Sequence, residues 1–259
     1  MIIIKSKGEK MNKKINKIYS GNEAKKWYRD KPQSISDFVG KERLLQTIKK
    51  EIENKCVLDL GCGEGYITRK IAKTAKKIIG IDLSQDMIDI ANQTNKYNNV
   101  SYLILDIKNI EQIKETFDVI VISLVLHYFT HEELKTVSKK IAKLLRPGGK
   151  IYILGINTDE LIKHKSSVWI RHKKFQNIKI DSFLEIKCLI TCGEYKNSYR
   201  RVGFYYYKLE HYIKSFINSG LDLINIKYLS PTKKLLKQFP SMESEKNLYV
   251  LMIFEKNDK

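Results

Sequence analysis

The sequence predicts an α/β fold, a mostly parallel sheet with helices on both faces, and three observations predict it. Short apolar runs alternate with helical periodicities as far as Gly155, one run ends in a glycine-rich turn that opens directly into a helix, and acidic residues close successive runs. At 259 residues the chain has room for one full-sized domain with a modest appendage.

From Phe38 to Glu53, Leu44, Leu45, Ile48 and Ile52 recur at helical spacing between Lys and Glu, which predicts an amphipathic helix. A strand follows at Val57-Leu58-Asp59-Leu60. It is stopped by Gly61-Cys62-Gly63-Glu64-Gly65, after which Ile67, Ile71, Ala72 and Ala75 resume a helical period. The alternation repeats with a strand over Ile78 to Asp82, a helix from Ser84 through Met87, Ile88 and Ala91, and strands at Ser101 to Leu105 and Val119 to Ile122. Thr130-His131-Glu132-Glu133 has capping-box form and precedes a helix with Leu134, Val137, Ile141 and Leu144 on one face. Arg146-Pro147-Gly148-Gly149 ends that helix and launches a strand over Lys150 to Leu154.

After Gly155 the alternation stops. Residues 156–206 form a basic insertion interleaved with aromatics, read as a lid. A helix is expected over Tyr207 to Ser219, stopped by Gly220. Two final strands, Leu221 to Ile226 and Leu248 to Phe254, joined by a loop, can pair antiparallel at the sheet edge. Residues 19–259 are thus one domain, with N-terminal cap helices over 19–54, and residues 1–18 read as a disordered leader.

Composition removes several function classes. Hydrophobic residues are 42% and charged residues 30%, a globular mixture, and no apolar run approaches the roughly 20 residues that span a bilayer. The net charge of +19 rests on 41 Lys and 7 Arg. Lys, Asn and Ile share A/T-rich codons, and nucleic-acid readers favour the Arg fork, so solvated Lys explains the excess better than a nucleic-acid partner does. Cys56, Cys62, Cys188 and Cys192 have no CxxC spacing and no paired His nearby, which predicts no metal site. Cys62 inside a tight turn fits a reducing cytoplasm, and the apolar stretch at Met1 is too short for a secretory signal.

The glycine turn carries the chemistry. A strand ending at Asp59 and turning through GxGxG into a helix places backbone N–H groups at the carboxyl edge of the sheet, where α/β folds bind ligands. Asp82, 21 residues after Gly61 and at the end of the next strand, can accept both hydroxyls of a ribose. An acid directly before the glycines disfavours a pyrophosphate and suits an ammonium or sulfonium cation. Asp106 ends the third strand in the same way.

With these pieces in place the chain resembles the class I S-adenosylmethionine-dependent methyltransferases, of the type 11-like branch that acts on small molecules. The resemblance rests on Val57 to Gly65, Gly80-Ile81-Asp82-Leu83-Ser84, Asp106-Ile107, Phe117-Asp118-Val119-Ile120 and Leu144-Leu145-Arg146-Pro147-Gly148-Gly149, and covers residues 55–155 well. It implies a Rossmann-like seven-stranded sheet, mostly parallel with an antiparallel last strand, and a lid insertion after strand 5. It further implies that Gly61, Cys62 and Gly63 line the methionine half of S-adenosylmethionine, with Asp59 near its amino group. Asp82 would take the ribose hydroxyls, Leu83 and Met87 would contact adenine, Asp106 and Ile107 would hold the adenine amino edge, and Ser123 would approach the carboxylate or methyl region. Ala24-Lys25-Lys26-Trp27-Tyr28 is similar to a helix that folds over the cofactor in this family, with Trp27 in the aromatic position. The plainer readings are core packing for Leu83 and Met87, a strand-end hydrogen bonder for Ser123 and a docking anchor for Trp27.

The segment Ser123-Leu124-Val125-Leu126-His127-Tyr128 lacks the Asn/Asp-Pro-Pro-aromatic signature of base-amino methyltransferases and is similar to the Leu-His-Tyr stretch of the small-metabolite branch. His127 is the candidate base or acceptor-orienting group, with Tyr128 beside it; a core histidine is the alternative. Where that branch carries Tyr-His-Arg-Thr-Leu, this chain has Tyr205-Tyr206-Tyr207-Lys208-Leu209, so Tyr205 and Tyr206 either line the acceptor pocket or pack helix on sheet. The expected function is methyl transfer to a small molecule or small modified peptide in the cytoplasm. An RNA or protein methyltransferase using the basic lid, a nicotinamide-dependent oxidoreductase, which the glycine spacing disfavours, and a non-catalytic S-adenosylmethionine-binding protein are the alternatives.

Lys7-Gly8-Glu9 is encodable by a purine-rich stretch resembling a ribosome-binding site just before Met11. Met11 is therefore expected to be the natural start, and N-terminal sequencing of protein made from the native gene should read from Met11; intact native protein beginning at Met1 overturns this.

Overall fold

Four stretches of the chain are buried without a break, Val57–Leu60, Ile78–Ile81, Val119–Ile122 and Ile151–Ile156, and unbroken burial of β-branched and Leu side chains requires cover on both faces of a sheet. The computed structural model, which describes residues 19–163, 169–170, 182–189, 199–240, 242 and 246–257, builds that sheet from Cys56–Leu60 (β1), Lys77–Asp82 (β2), Val100–Ile104 (β3), Phe117–Ser123 (β4) and Leu145–Ile156 (β5). All five are parallel. Leu221–Leu229 (β9) and Tyr249–Lys256 (β10) complete a seven-stranded sheet in the order β3-β2-β1-β4-β5-β10-β9.

The last two strands pair antiparallel at the edge of the sheet, as expected. β10 inserts between β5 and β9, antiparallel to both, and β9 is the edge strand. Its composition gives the reason: β10 runs Tyr249 to Phe254 fully buried, whereas most of β9 is open to solvent. The connection between them also carries a short helix, Lys233–Gln238, capped by the Thr232 hydroxyl, which accepts from the Leu235 N–H.

Alternation of side chains along the strands gives the sheet two dry faces. Val57, Ile78, Val119 and Val121 pack with Leu44, Ile48, Ile67, Ile71 and Ile88, and Leu58, Leu60, Ile79, Ile120 and Ile122 pack with Leu134, Val137, Ile141, Tyr212 and Phe216. After a short first helix, Gly21–Lys25 (α1), the first set comes from Glu42–Ile48 (α2), Tyr66–Ile71 (α3) and Gln85–Thr94 (α4), the second from His131–Lys143 (α5) and, after Thr158–Lys163 (α6), from Leu209–Ile217 (α7). α5 has the expected capping box between Thr130 and Glu133. The expected helix over Phe38 to Glu53 differs: a π-helical turn at Ser36–Lys41 runs into α2, and α2 ends at Ile48. Apolar spacing over two turns cannot separate these windings.

Between β5 and α7 lie Trp169–Ile170 (β6), Ser182–Leu189 (β7) and Tyr199–Tyr206 (β8), a separate three-stranded antiparallel sheet. The expected leader, residues 1–18, and much of the expected lid, with Lys165, Arg171, Phe175 and Cys192, lie outside the described residues. No helix among the described residues is long and apolar enough to cross a membrane.

Strand order reverses between β1 and β4, which makes the carboxyl edge there the switch point at which open α/β sheets bind ligands. Residues 61–65, 83–84, 105–107 and 123–128 all meet that edge.

Candidate active site

Two glycines of the turn after β1 are required for different reasons. At Gly61 (φ +67°) a Cβ would lie 2.2 Å from Val125 Cγ2, so the loop after β4 presses directly on the turn. At Gly63 (φ +55°) nothing lies within 4 Å of a Cβ position, so the backbone there faces open space. Between them Cys62 is half-buried, and its Sγ–H points to the Gly63 carbonyl at 3.6 Å; burial pushes the thiol well up.

Asp82 ends β2 with both carboxylate oxygens anchored. Oδ2 accepts from the Gly63 N–H and Oδ1 from the Ser84 N–H, each at 2.9 Å, and each carboxylate oxygen has a second lone pair. Burial raises its pKa and the backbone N–H groups of Ser84, Gly63 and Leu83 work against the rise. Asp59 is 1% exposed, accepts from Thr68 Oγ1 at 2.6 Å, and is raised to about 6, chiefly by burial.

On the far side of Asp82, Leu83 is 44% exposed at the strand end, while Met87 on α4 is 1% exposed and packed inside. Asp106 caps a 3₁₀ turn over Ile107–Gln112 by accepting from the Lys108 N–H at 2.9 Å, and Ile107 is buried. Ser84 caps α4 and also donates its hydroxyl to the Tyr19 carbonyl at 2.6 Å.

The loop after β4 is strained. Leu124 has φ +58°, a left-handed conformation costly for a residue with a Cβ, and its N–H donates to the Leu154 carbonyl at 2.9 Å. The strain delivers Val125 onto Gly61 and turns Leu126–Tyr128 into a 3₁₀ turn. Within this turn the Ser123 hydroxyl and His127 Nε2 are buried and find no hydrogen-bond partner among the described residues. His127 is 2% exposed, and burial lowers it to about 3, so its imidazole is neutral at pH 7. Tyr128 stacks on it with ring centroids 4.2 Å apart, and the Tyr128 hydroxyl is hydrogen-bonded to that of Tyr19. Trp27, just past α1, packs on Tyr19 at 5.0 Å.

Of the three successive tyrosines, Tyr205 is buried in the core and Tyr206 donates to Asp159 Oδ1 at 3.1 Å. Tyr207, which the sequence did not single out, touches the site's framework: its hydroxyl donates to the Leu126 carbonyl at 2.7 Å.

A buried ion network behind the glycine turn was also missed. Arg29 donates to Asp37 Oδ1 at 2.9 Å, to Glu64 Oε1 at 3.1 Å and to the Trp27 carbonyl at 2.6 Å; Arg69 reaches Glu64 Oε2 at 2.7 Å and the Arg29 carbonyl at 3.2 Å. Burial works to raise Asp37, but Arg29, Lys41 and the Gln33 N–H reverse it and hold the carboxyl far below the usual carboxylate range. One signal was available: in a chain with 7 Arg among 48 basic residues, an Arg marks a place where a planar fork is needed. Among the described residues no three His, Cys, Asp or Glu side chains converge as a metal site requires.

Residues 57–149 match the family model described as a methyltransferase domain. An uncharacterised methyltransferase of Schizosaccharomyces pombe is 30% identical over 131 residues, 43% of this chain and 45% of that protein. A ubiquinone biosynthesis O-methyltransferase of Coxiella burnetii is 31% identical over 117 residues, 44% of this chain and 49% of that protein. The matched stretch therefore spans less than half the length of these curated relatives. The N-methyltransferase NodS of Bradyrhizobium japonicum, solved with S-adenosyl-L-homocysteine, superposes with a TM-score of 0.57 over 95% of this chain and 98% of its own, at 17% identity, a likeness of fold. The glycine turn and its acidic partners thus sit inside the stretch that matches a methyltransferase domain, and the fold is one shared with solved methyltransferases.

Proposed function

We propose that the protein transfers a methyl group from S-adenosylmethionine to a small-molecule or small modified-peptide acceptor in the cytoplasm. The observation that carries this reading is the single edge at which Gly63 faces open space, Asp82 has spare lone pairs, and the Ser123 hydroxyl and His127 Nε2 lie buried without partners among the described residues. A bound nucleoside with a cationic amino-acid tail has the hydroxyls, ammonium and carboxylate to satisfy such a set. Asp82 would hold the ribose, Asp59 would face the ammonium, Leu83 and the Asp106–Ile107 turn would flank the adenine, and Trp27 would cover the cleft. When bound, the cofactor supplies an electrophilic methyl on a sulfonium.

The chain's own task is then to align an acceptor and exclude water, and alignment alone can account for about 7–11 kcal/mol of a displacement barrier. His127, neutral and nearly dry, is placed to accept a hydrogen bond from an acceptor O–H or N–H and so orient its lone pair toward the methyl. Tyr128, Tyr205 and Tyr206 supply the aromatic side of the acceptor region in this reading. The Coxiella relative is named for O-methylation in ubiquinone biosynthesis and the Bradyrhizobium neighbour for N-methylation, which supports a small acceptor with a protic oxygen or nitrogen. An RNA acceptor is the competing reading, and steeply salt-dependent RNA binding favours it.

Replacing Asp82 by Ala removes charge-assisted hydrogen bonds to two hydroxyls, about 2–3 kcal/mol, and S-adenosylhomocysteine affinity by calorimetry should fall roughly 30- to 150-fold. Unchanged affinity overturns the ribose assignment.

Asp59 sets a pH dependence. Its folded pKa of about 6 lies above its ordinary 3.8, so in the free protein its contribution to stability is most favourable below about 4 and is lost as pH rises through about 6. A cationic ligand prefers the ionised form, so affinity for S-adenosylmethionine should run the other way, rising between pH 5 and pH 7 by roughly tenfold and then levelling off. Asp59→Asn should abolish that slope; a slope that persists in the variant removes Asp59 from the cofactor's neighbourhood.

For His127, labelled methyl uptake into metabolite extracts supplies the assay. His127→Ala should lower turnover by about 10²-fold with His127→Asn recovering part of it. Wild-type turnover in both variants sinks the orienting role.

A further inference from the structure

We propose that Tyr19 is a positioning residue that transmits cofactor occupancy at Asp82 to the acceptor-side loop after β4, an inference that rests on the cofactor reading above. The contacts that carry it form a closed ring at the carboxyl edge of the sheet. Gly63 N–H and Ser84 N–H donate to the two oxygens of Asp82, and Ser84 Oγ–H donates to the Tyr19 carbonyl. The Tyr19 hydroxyl is bonded to the Tyr128 hydroxyl, across 109 residues of sequence. The Tyr128 N–H donates to the Val125 carbonyl at 3.0 Å, and Val125 rests on Gly61, two residues from where the ring began.

Every link but one is backbone-anchored. Ser84 cannot turn away without uncapping α4, because its hydroxyl oxygen accepts the Met87 N–H at 3.3 Å. The segment carrying Tyr19 is pinned beside it, with the Gly21 N–H donating to Asp86 Oδ2 at 2.9 Å. The phenol pair is the exception: a bond between two side-chain hydroxyls joins the cofactor side of this edge to the acceptor side. Tyr128 in turn lies 4.2 Å from the His127 ring, so the orientation of the acceptor-side imidazole depends on where that phenol is held. A ligand that locks Asp82 therefore locks Ser84 and Tyr19, and through the phenols it orders residues 124–129 before an acceptor arrives. Cofactor would bind first, and the acceptor pocket would be complete only afterwards.

Tyr19→Phe deletes the hydroxyl alone and retains the stack on Trp27 and the carbonyl to Ser84. Amide hydrogen exchange on the full chain, with and without S-adenosylhomocysteine, reads the link. In wild type the ligand should slow exchange at 61–66 and at 124–129 together. In Tyr19→Phe it should bind within about threefold of wild type and still protect 61–66, while protection of 124–129 falls at least fivefold. Tyr128→Phe, which removes the same bond from the other side, should reproduce this, and the unfolding midpoints should match wild type. Equal protection of 124–129 in both variants, or none there in ligand-bound wild type, overturns the coupling. Loss of binding in Tyr19→Phe makes Tyr19 a cofactor contact and equally overturns it. Absence of binding in wild type defeats the cofactor reading itself, a distinct result from loss of coupling with binding intact.

Discussion

The glycine turn is held in place by charges that cannot be left alone. Arg29, Asp37 and Glu64 are each at most 4% exposed, and a charge in such a place is tolerable only while its partners hold. Glu64 is gripped from two sides, by Arg29 and by Arg69, so the turn that contains it is fixed at its centre rather than only at its ends. The same Arg29 fixes the N-terminal segment, through Asp37 and through its own carbonyl to Arg69. Removing one partner of such a pair typically costs 3–5 kcal/mol, mostly for the charge left behind. Turn and cap are therefore one rigid unit, and the open face of Gly63 keeps its shape without a side chain to fill it.

That rigidity explains how an edge defined by topology becomes a site defined by chemistry. Strand order alone places the loops after β1 and β4 at the switch point. The left-handed Leu124 then drives Val125 against Gly61, while open space remains at the Cβ position of Gly63. Strain at Leu124, of order 1–3 kcal/mol, is sustained by the Leu154 carbonyl and by the Tyr207 hydroxyl on Leu126. Tyr207 thus links the far end of the inserted sheet to the turn after β4.

Local pattern revealed the parts of this molecule that local physics decides. Val57 to Gly65 is legible because an apolar run, a glycine stop and a helical period follow one another within a few residues, and Thr130–Glu133 because a capping box is a four-residue interaction. Which of β9 and β10 lies inside was not legible, since pairing to β5 is a contest between distant strands that no local period records. Among Tyr205, Tyr206 and Tyr207 the composition is identical, and only the end of β8 at Tyr206 decides which phenol reaches Leu126. Tyr19 and Arg29 lay in a segment with weak periodicity, and their partners are 109 and 35 residues away.

The electrostatics of the edge favour the proposed reaction more than any single side chain does. Burial pushes Asp59 up to about 6 and His127 down to about 3, and it raises the Cys62 thiol well above its ordinary range. His127 and the Cys62 thiol are therefore neutral at pH 7, whereas Asp59, with a pKa of about 6, is mostly ionised there. A displacement at a sulfonium by a neutral nucleophile spreads one positive charge over two centres in the transition state. Water stabilises the compact starting cation better than the dispersed one, so a drier pocket lowers the barrier even without a base. A neutral His127 suits the proposed reaction in such a pocket, whereas a charged one would repel a sulfonium beside it.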